Sequence, residues 1–307
     1  MAITASMIKD LREMTGAGMM DCKKALTEAD GNIDKAVEIL REKGLAKAAK
    51  KAGRIAAEGL VATYVSEDGK TAALVEVNSE TDFVAKNELF KTFVSETAKQ
   101  ASLTKTDNIE DFMQEAWHLD NSKTVQDILT EKISVIGENL NIRRFVKYEL
   151  DLGVIATYIH GGGRIGVMVQ LSSNDSSDKL AEAGKNIAMQ IAAANPKYIS
   201  SDDIPADYIE KEREILKQQA LNEGKPANIV EKMIEGRLKK SLKEVCLVDQ
   251  AYIRDPEITV SKYLENVSKE IGADVSIKAF VRYETGEGIE KKEENFAEEV
   301  AKQMNEQ

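Results

Sequence analysis

The sequence predicts an α+β protein made of two related halves with antiparallel sheets, preceded by a helical bundle and interrupted in its second half by a helical arm. Two internal repeats and one inserted segment carry this prediction. Gly59-Leu60-Val61-Ala62-Thr63-Tyr64-Val65 recurs 94 residues later as Gly153-Val154-Ile155-Ala156-Thr157-Tyr158-Ile159. Ile136-Gly137-Glu138-Asn139-Leu140-Asn141-Ile142-Arg143-Arg144-Phe145-Val146 recurs 135 residues later as Ile271-Gly272-Ala273-Asp274-Val275-Ser276-Ile277-Lys278-Ala279-Phe280-Val281. The offset grows by 41 residues between these landmarks, so the second half holds an insertion.

The first 40 residues predict three short helices. Met7, Ile8, Leu11 and Met14 recur at helical spacing after an N-cap at Thr4, and Thr15-Gly16-Ala17-Gly18 stops the run. Met19, Cys22, Ala25 and Leu26 form a second stripe up to Asp30-Gly31-Asn32, and Ile33, Ala36, Val37 and Leu40 form a third that ends before Gly44. So small a bundle buries little apolar surface and is expected to keep an apolar face for a partner or another domain. Residues 45–58 are Ala-rich and basic, with Lys47, Lys50, Lys51 and Arg54 on one helical face. This pattern fits either a patch for nucleic acid or an acidic partner or a solvated linker helix, and with an acidic chain overall the linker is the reading adopted.

Each repeated glycine opens a strand that turns into a second strand, Ala72 to Val77 in one half and Gly166 to Leu171 in the other. Each half closes on the matching final strand. Within the insertion, Ile209, Leu216 and Ala220 precede Gly224-Lys225-Pro226, while Val230, Ile234, Leu238 and Leu242 follow it. Two amphipathic helices joined by such a turn predict an antiparallel coiled-coil hairpin, which suits an interaction arm. Phe296, Val300 and Met304 give the last segment one apolar stripe, which packs on its own protein or on a partner. The expected organisation is 1–55, a helical domain with its linker; 56–150, a first core subdomain; 151–284, a second one carrying the arm at 205–245; and 285–307, a C-terminal helical module.

Composition narrows the function. With 42% hydrophobic and 31% charged residues and no long apolar run, the sequence reads as a soluble, cytoplasmic protein with no membrane partner. A net charge of −11 disfavours direct nucleic-acid binding. Cys22 and Cys246 offer neither a disulfide framework nor metal-ligand spacing. His118, beside Trp117 in a region read as helical, and His160, in the second hairpin's turn, have no Cys or carboxylate at ligand spacing, so both read as structural or interfacial. Gly161-Gly162-Gly163-Arg164-Ile165-Gly166 matches the dinucleotide glycine pattern, yet it leads into Val167-Met168-Val169-Gln170-Leu171, a strand and not a helix, so a hairpin turn explains it better. Neither cofactor nor metal is expected, and no enzyme chemistry.

Two segments resemble the diagnostic blocks of the elongation factor Ts family. One is Leu11-Arg12-Glu13-Met14-Thr15-Gly16-Ala17-Gly18-Met19-Met20-Asp21-Cys22-Lys23-Lys24-Ala25-Leu26, similar to that family's ubiquitin-associated-type module. The other is Glu76-Val77-Asn78-Ser79-Glu80-Thr81-Asp82-Phe83-Val84-Ala85-Lys86-Asn87. The resemblance implies a guanine nucleotide exchange factor that meets elongation factor Tu in its GDP-bound and nucleotide-free states. It implies that Thr81, Asp82, Phe83 and Val84, with Ile136 and Gly137 beside them, disturb the magnesium and phosphate-loop site of that partner. It further implies that Met19, Met20 and Lys23 meet the same partner domain and that His160 faces another. From periodicity alone Phe83 shares a stripe with Phe90 and Val94 and would be core; the family match places it in a first helical turn, where a ring can protrude. The sequence leaves self-association open.

Overall fold

A computed structural model describes residues 3–223 and 227–290. Contacts divide the chain into two units, one comprising the described parts of 1–62, 75–145 and 284–307, the other 63–74 and 146–283. The architecture is mixed helix and strand, with small antiparallel sheets.

In the first unit, α1 (Ala5–Thr15) starts at the Thr4 side-chain cap and ends at Gly16, and α2 (Met19–Glu28) follows. α3 spans Ile33–Lys51 from an Asn32 cap. The three pack around Leu11, Cys22, Ala25, Leu26, Ala29 and Ala36, as the stripes predict. One expectation is corrected: the third helix does not stop at Gly44 but continues through it, and the basic segment is helical only to Lys51. Gly44 is buried inside the helix facing Ser134, where a Cβ would meet that side chain only at an ordinary contact distance of 3.6 Å, so this glycine neither breaks the helix nor is demanded by its packing.

β1 (Glu58–Val65) and β2 (Thr71–Ser79) form the first hairpin. Then come α4 (Asp82–Ala85), α5 (Glu88–Leu103), α6 (Ile109–Gln114), the short pair β3 (Ala116–Trp117) and β4 (Asp120–Thr124), α7 (Val125–Ile136) and β5 (Leu140–Glu149). The sheet order is β1-β2-β5. α5 buries Phe90, Phe93 and Val94. The structure overturns two more expectations. Phe83 and Phe90 do not share a helix, because Lys86 closes α4 and the Asn87 side chain caps α5 by accepting from the Leu89 amide at 2.8 Å. His118 lies in the turn of the β3–β4 hairpin, not in a helix; its side chain is buried, with Nε2 3.0 Å from Glu96 Oε2.

In the second unit, β6 (Val154–His160) and β7 (Ile165–Ser172) pair antiparallel from Val154 opposite Leu171 to His160 opposite Ile165. α8 (Asp178–Ala194), α9 (Ala206–Asn222), α10 (Ala227–Val245), β8 (Ala251–Tyr252), β9 (Asp255–Thr259), α11 (Val260–Ile271) and β10 (Ser276–Glu284) complete it, with sheet order β10-β7-β6. Its core gathers Val167, Val169, Leu171, Ile187, Ile191 and Leu264. The glycine-rich stretch is the β6–β7 turn, with positive φ at Gly161, Gly162 and Gly163, as expected of a hairpin.

The repeat extends to hydrogen bonds. Gln100 on α5 accepts from the His118 amide at 2.8 Å and donates to the Ala116 carbonyl at 3.2 Å; Gln190 on α8 accepts from the Ile253 amide at 2.8 Å and donates to the Ala251 carbonyl at 3.2 Å. In each half a buried glutamine thus satisfies a short hairpin that would otherwise leave backbone groups unpaired. Gly59 and Gly153 also match in purpose. Both have positive φ, and a Cβ would collide with the carbonyl of Val77 in one copy and of Leu171 in the other.

α9 and α10 join through Leu216, Ala220, Ile234 and Leu238, flanked by Ile209 and Leu242. Ser241 donates to Glu212 at 2.8 Å and Arg237 to Glu223 at 2.9 Å, so the helices run antiparallel as the apolar spacing predicts. The Gly224-Lys225-Pro226 turn, the Val230 side chain and the stripe of Phe296, Val300 and Met304 lie outside the described residues. Among the described residues no helix is long and apolar enough to cross a membrane.

Candidate functional site

Directly after β2 the chain leaves the sheet at Glu80, and Thr81 caps α4 with its hydroxyl accepting from the Val84 amide at 3.4 Å. One turn of helix follows. Val84 is buried and pins that turn down, while Phe83 on its other side is 78% exposed. Lys86 reaches back to Asp82 at 2.6 Å and places its ammonium 5.7 Å from the Phe83 ring centroid. The hydrogen bond from Lys86 holds the Asp82 carboxyl below its ordinary pKa.

This turn is braced from the other candidate segment. Glu138, one residue beyond the left-handed C-cap Gly137 of α7, accepts from the Thr81 amide at 3.0 Å and from the Thr81 hydroxyl at 2.7 Å. Glu80 returns the contact, accepting from the Asn139 amide at 2.6 Å, and its other oxygen is 3.4 Å from Arg54. Lys51 donates to the Gly137 carbonyl, and the Asn139 side chain donates to the Arg54 carbonyl at 2.8 Å. The structure therefore brings Thr81, Asp82, Phe83 and Val84 together with Ile136 and Gly137 around one carboxylate lattice.

Met19 and Met20 stand exposed at the start of α2, at 57% and 62%, and Lys23 is exposed one turn on. Lys47 of α3 pairs with Asp21 at 2.8 Å between them. Three of the four basic residues read as a patch or linker face, Lys47, Lys51 and Arg54, thus have acceptors within the chain, in line with the linker reading. His160 ends β6 in the second unit, one residue before the turn assigned to it from sequence; it is exposed, and its Nδ1 lies 3.1 Å from the Tyr158 hydroxyl. Among the described residues no group of three or more His, Cys, Asp or Glu side chains is placed to hold a metal ion. Both cysteines are buried, and burial pushes each thiol pKa up.

A profile of the family described as Elongation factor TS matches residues 80–287, beginning at the glutamate that precedes Thr81. The chain belongs to the elongation factor Ts family. It is 57% identical over 303 residues to elongation factor Ts of Clostridium botulinum (strain ATCC 19397 / Type A), a match covering 99% of each chain. It is 58% identical over 300 residues to that of Clostridium perfringens (strain SM101 / Type A), covering 98% of each. Membership makes it a translation elongation factor.

Sequence reasoning did not assign the bracing of the exposed turn to Glu138, Glu80, Asn139, Lys51 and Arg54, although it named Glu80 in the diagnostic block and Lys51 and Arg54 on the basic face. A signal for Glu138 existed in the repeat. Its counterpart 135 residues on is Ala273, and the counterpart of Thr81, 94 residues on, is Asp175. The Thr81–Glu138 pair therefore belongs to the first half alone. The same holds for Glu76, replaced by Gln170 in the second copy, and for Arg143 and Arg144, replaced by Lys278 and Ala279.

Proposed function

We propose that this chain is a guanine nucleotide exchange factor that binds elongation factor Tu carrying GDP and promotes GDP release without covalent chemistry. The observation that supports this reading most directly is Phe83, held 78% exposed at the tip of a turn whose cap is bonded twice to Glu138. Leaving a phenyl ring in water forgoes roughly 1.5–3 kcal/mol that burial would contribute, and a docking surface recovers it. Because the turn is already hydrogen-bonded, little ordering cost opposes that docking.

In this reading Phe83 acts as a wedge. A P-loop GTPase holds its nucleotide through phosphate-loop amides and a magnesium ion, so a small displacement there removes much of the binding energy. Asp82 and Val84 set the ring's direction, and Ile136 and Gly137 form the neighbouring rim. By linkage, a factor that binds the nucleotide-free partner more tightly than its GDP form weakens GDP by the same ratio. Met19 and Met20 with the cationic Lys23 provide a second contact to the same partner domain, and His160 faces a different one. The four-part organisation of 1–55, 56–150, 151–284 and 285–307, with a ubiquitin-associated-type N-terminal module, is the domain reading that accompanies this function.

The test is release of a fluorescent GDP from elongation factor Tu. Catalytic amounts of this protein are expected to accelerate release strongly. An unchanged slow release would leave a translation-associated scaffold and overturn the proposal.

A further inference from the structure

α3 and α7 lie side by side in the first unit, and the polar contacts between them keep one spacing. Arg41 donates to Asp127 at 2.7 Å and Lys51 donates to the Gly137 carbonyl, with 86 positions between the partners in both pairs. An offset that stays constant from 41 to 51 means that the helices run parallel and in register, pinned at two points about 15 Å apart. Gly44 lies between the pins, facing Ser134. A glycine weakens a helix interior relative to alanine, so α3 is held on both sides of its weakest point.

The anchors are themselves fixed. One Asp127 oxygen accepts from the Thr124 amide and hydroxyl, both at 3.0 Å, closing the capping box of α7, and the other oxygen takes Arg41. In the second half α11 keeps the cap, Thr259, but has Lys262 at the position 135 residues after Asp127. The cap does not demand a carboxylate there; the arginine does. Beyond Lys51 the tie continues, since the Asn139 side chain donates to the Arg54 carbonyl at 2.8 Å and Arg54 lies 3.4 Å from Glu80. At the other end, α2 packs on α3 through Cys22, Ala25, Leu26 and Ala36. Met19 and Met20 on α2 and Phe83 beside Gly137 are thus joined through a single helix.

We propose that α3 is a strut that holds Met19 and Met20 at a fixed separation from Phe83, with Arg41 as its positioning residue, so that both contacts engage elongation factor Tu together. The inference rests on the exchange reading above. Two contacts on one rigid body bind as an intramolecular pair, at an effective concentration that falls when the connection between them slackens. Arg41 strengthens binding in this way without touching the partner. As an exposed ion pair it adds little to stability, so its loss shows in geometry and coupling and not in melting.

Two measurements test the strut. Spin labels on Lys24→Cys and Glu88→Cys, both exposed positions, read the separation of α2 from the start of α5 in the protein alone; Cys22 and Cys246 are buried. One narrow distance distribution is expected, broadened by Arg41→Glu, which sets a carboxylate against Asp127, and kept by Arg41→Lys. The second measurement is affinity for nucleotide-free elongation factor Tu. Arg41→Glu is expected to weaken binding ~5-fold or more in the natural background and less than ~2-fold in Met19→Ala/Met20→Ala, the coupling that a double-mutant cycle isolates. Equal losses in both backgrounds, as a direct contact of Arg41 with the partner would give, or an unbroadened distribution in Arg41→Glu would overturn the proposal. A broadened distribution with natural affinity would overturn the coupling. No binding by the natural chain would remove the exchange reading and the coupling together, a result distinct from the others.

Discussion

Thr81 and Glu138 are joined twice, the amide of Thr81 donating to one carboxylate oxygen at 3.0 Å and its hydroxyl to the other at 2.7 Å. A single side chain thereby fixes both the cap of α4 and the loop after α7, and with them the position of Phe83. Glu138→Ala is expected to cost about 1–3 kcal/mol, the penalty for leaving part-buried donors without their acceptor. Exchange on elongation factor Tu should fall further than stability does, because the ring loses its fixed direction. Chemical denaturation beside GDP-release kinetics checks this; full activity in the folded variant would mean that the brace does not position the ring.

Phe83→Ala should leave stability within about 0.5 kcal/mol, the usual range for an exposed side chain without core contacts. A central aromatic contact contributes about 2 kcal/mol or more at an interface, so the GDP-release rate at subsaturating factor should drop by ~30-fold or more. A large fall in melting temperature with normal activity per folded molecule would count against the wedge.

Glu76 is fully buried and accepts from Arg144 at 2.6 Å, Arg143 at 3.0 Å, Asn78 at 3.1 Å and the Gly286 amide at 2.8 Å. Burial pushes its carboxyl pKa up, but these donors outweigh burial and hold it below the ordinary 4.5. A depressed carboxylate contributes stability that is complete above the unfolded pKa and is lost as pH falls through the folded one. Glu76→Gln should therefore destabilise at neutral pH, towards the lower end of about 3–5 kcal/mol because both arginines are partly exposed. Urea titrations from pH 7 down to about pH 3 should show the wild-type advantage constant at first and shrinking below roughly pH 4.5. A gap that widens on acidification would contradict the assigned direction.

The arm of α9 and α10 has its own small core, so damage there should stay local. Ile234→Asp places a carboxylate among Leu216, Ala220 and Leu238 and should abolish exchange protection in 206–245 while leaving that of α5 and α8 unchanged. Hydrogen exchange resolved by peptide reads this directly. Release kinetics with the variant, and with residues 207–243 deleted, then report what the arm contributes to exchange.

Much of the fold was legible because its signals are local. Thr4, Asn32 and the Gly16 stop mark helix ends by backbone chemistry within a few residues, and the two copies of the hairpin and final strand repeat their apolar alternation. Gly44 misled because a glycine that ends a helix and one that a helix merely tolerates look alike in sequence; the helix runs on through it to Lys51, packed beside Ser134, 90 residues away. His118 misled in the same way, since the hairpin that contains it is held by Gln100 on another element.

The sequence by itself determined the doubled α+β plan, the inserted arm, the kinship with elongation factor Ts and the segment holding Thr81, Asp82 and Phe83, because periodicity, capping and motif are properties of neighbouring residues. Only the tertiary structure decided that Phe83 stands in solvent and Phe90 in the core, and that Glu138, Glu80, Lys51 and Arg54 hold the exposed turn in place. Exposure and long-range hydrogen bonding depend on what the rest of the chain brings alongside, and Thr81 meets Glu138 57 positions further along the sequence.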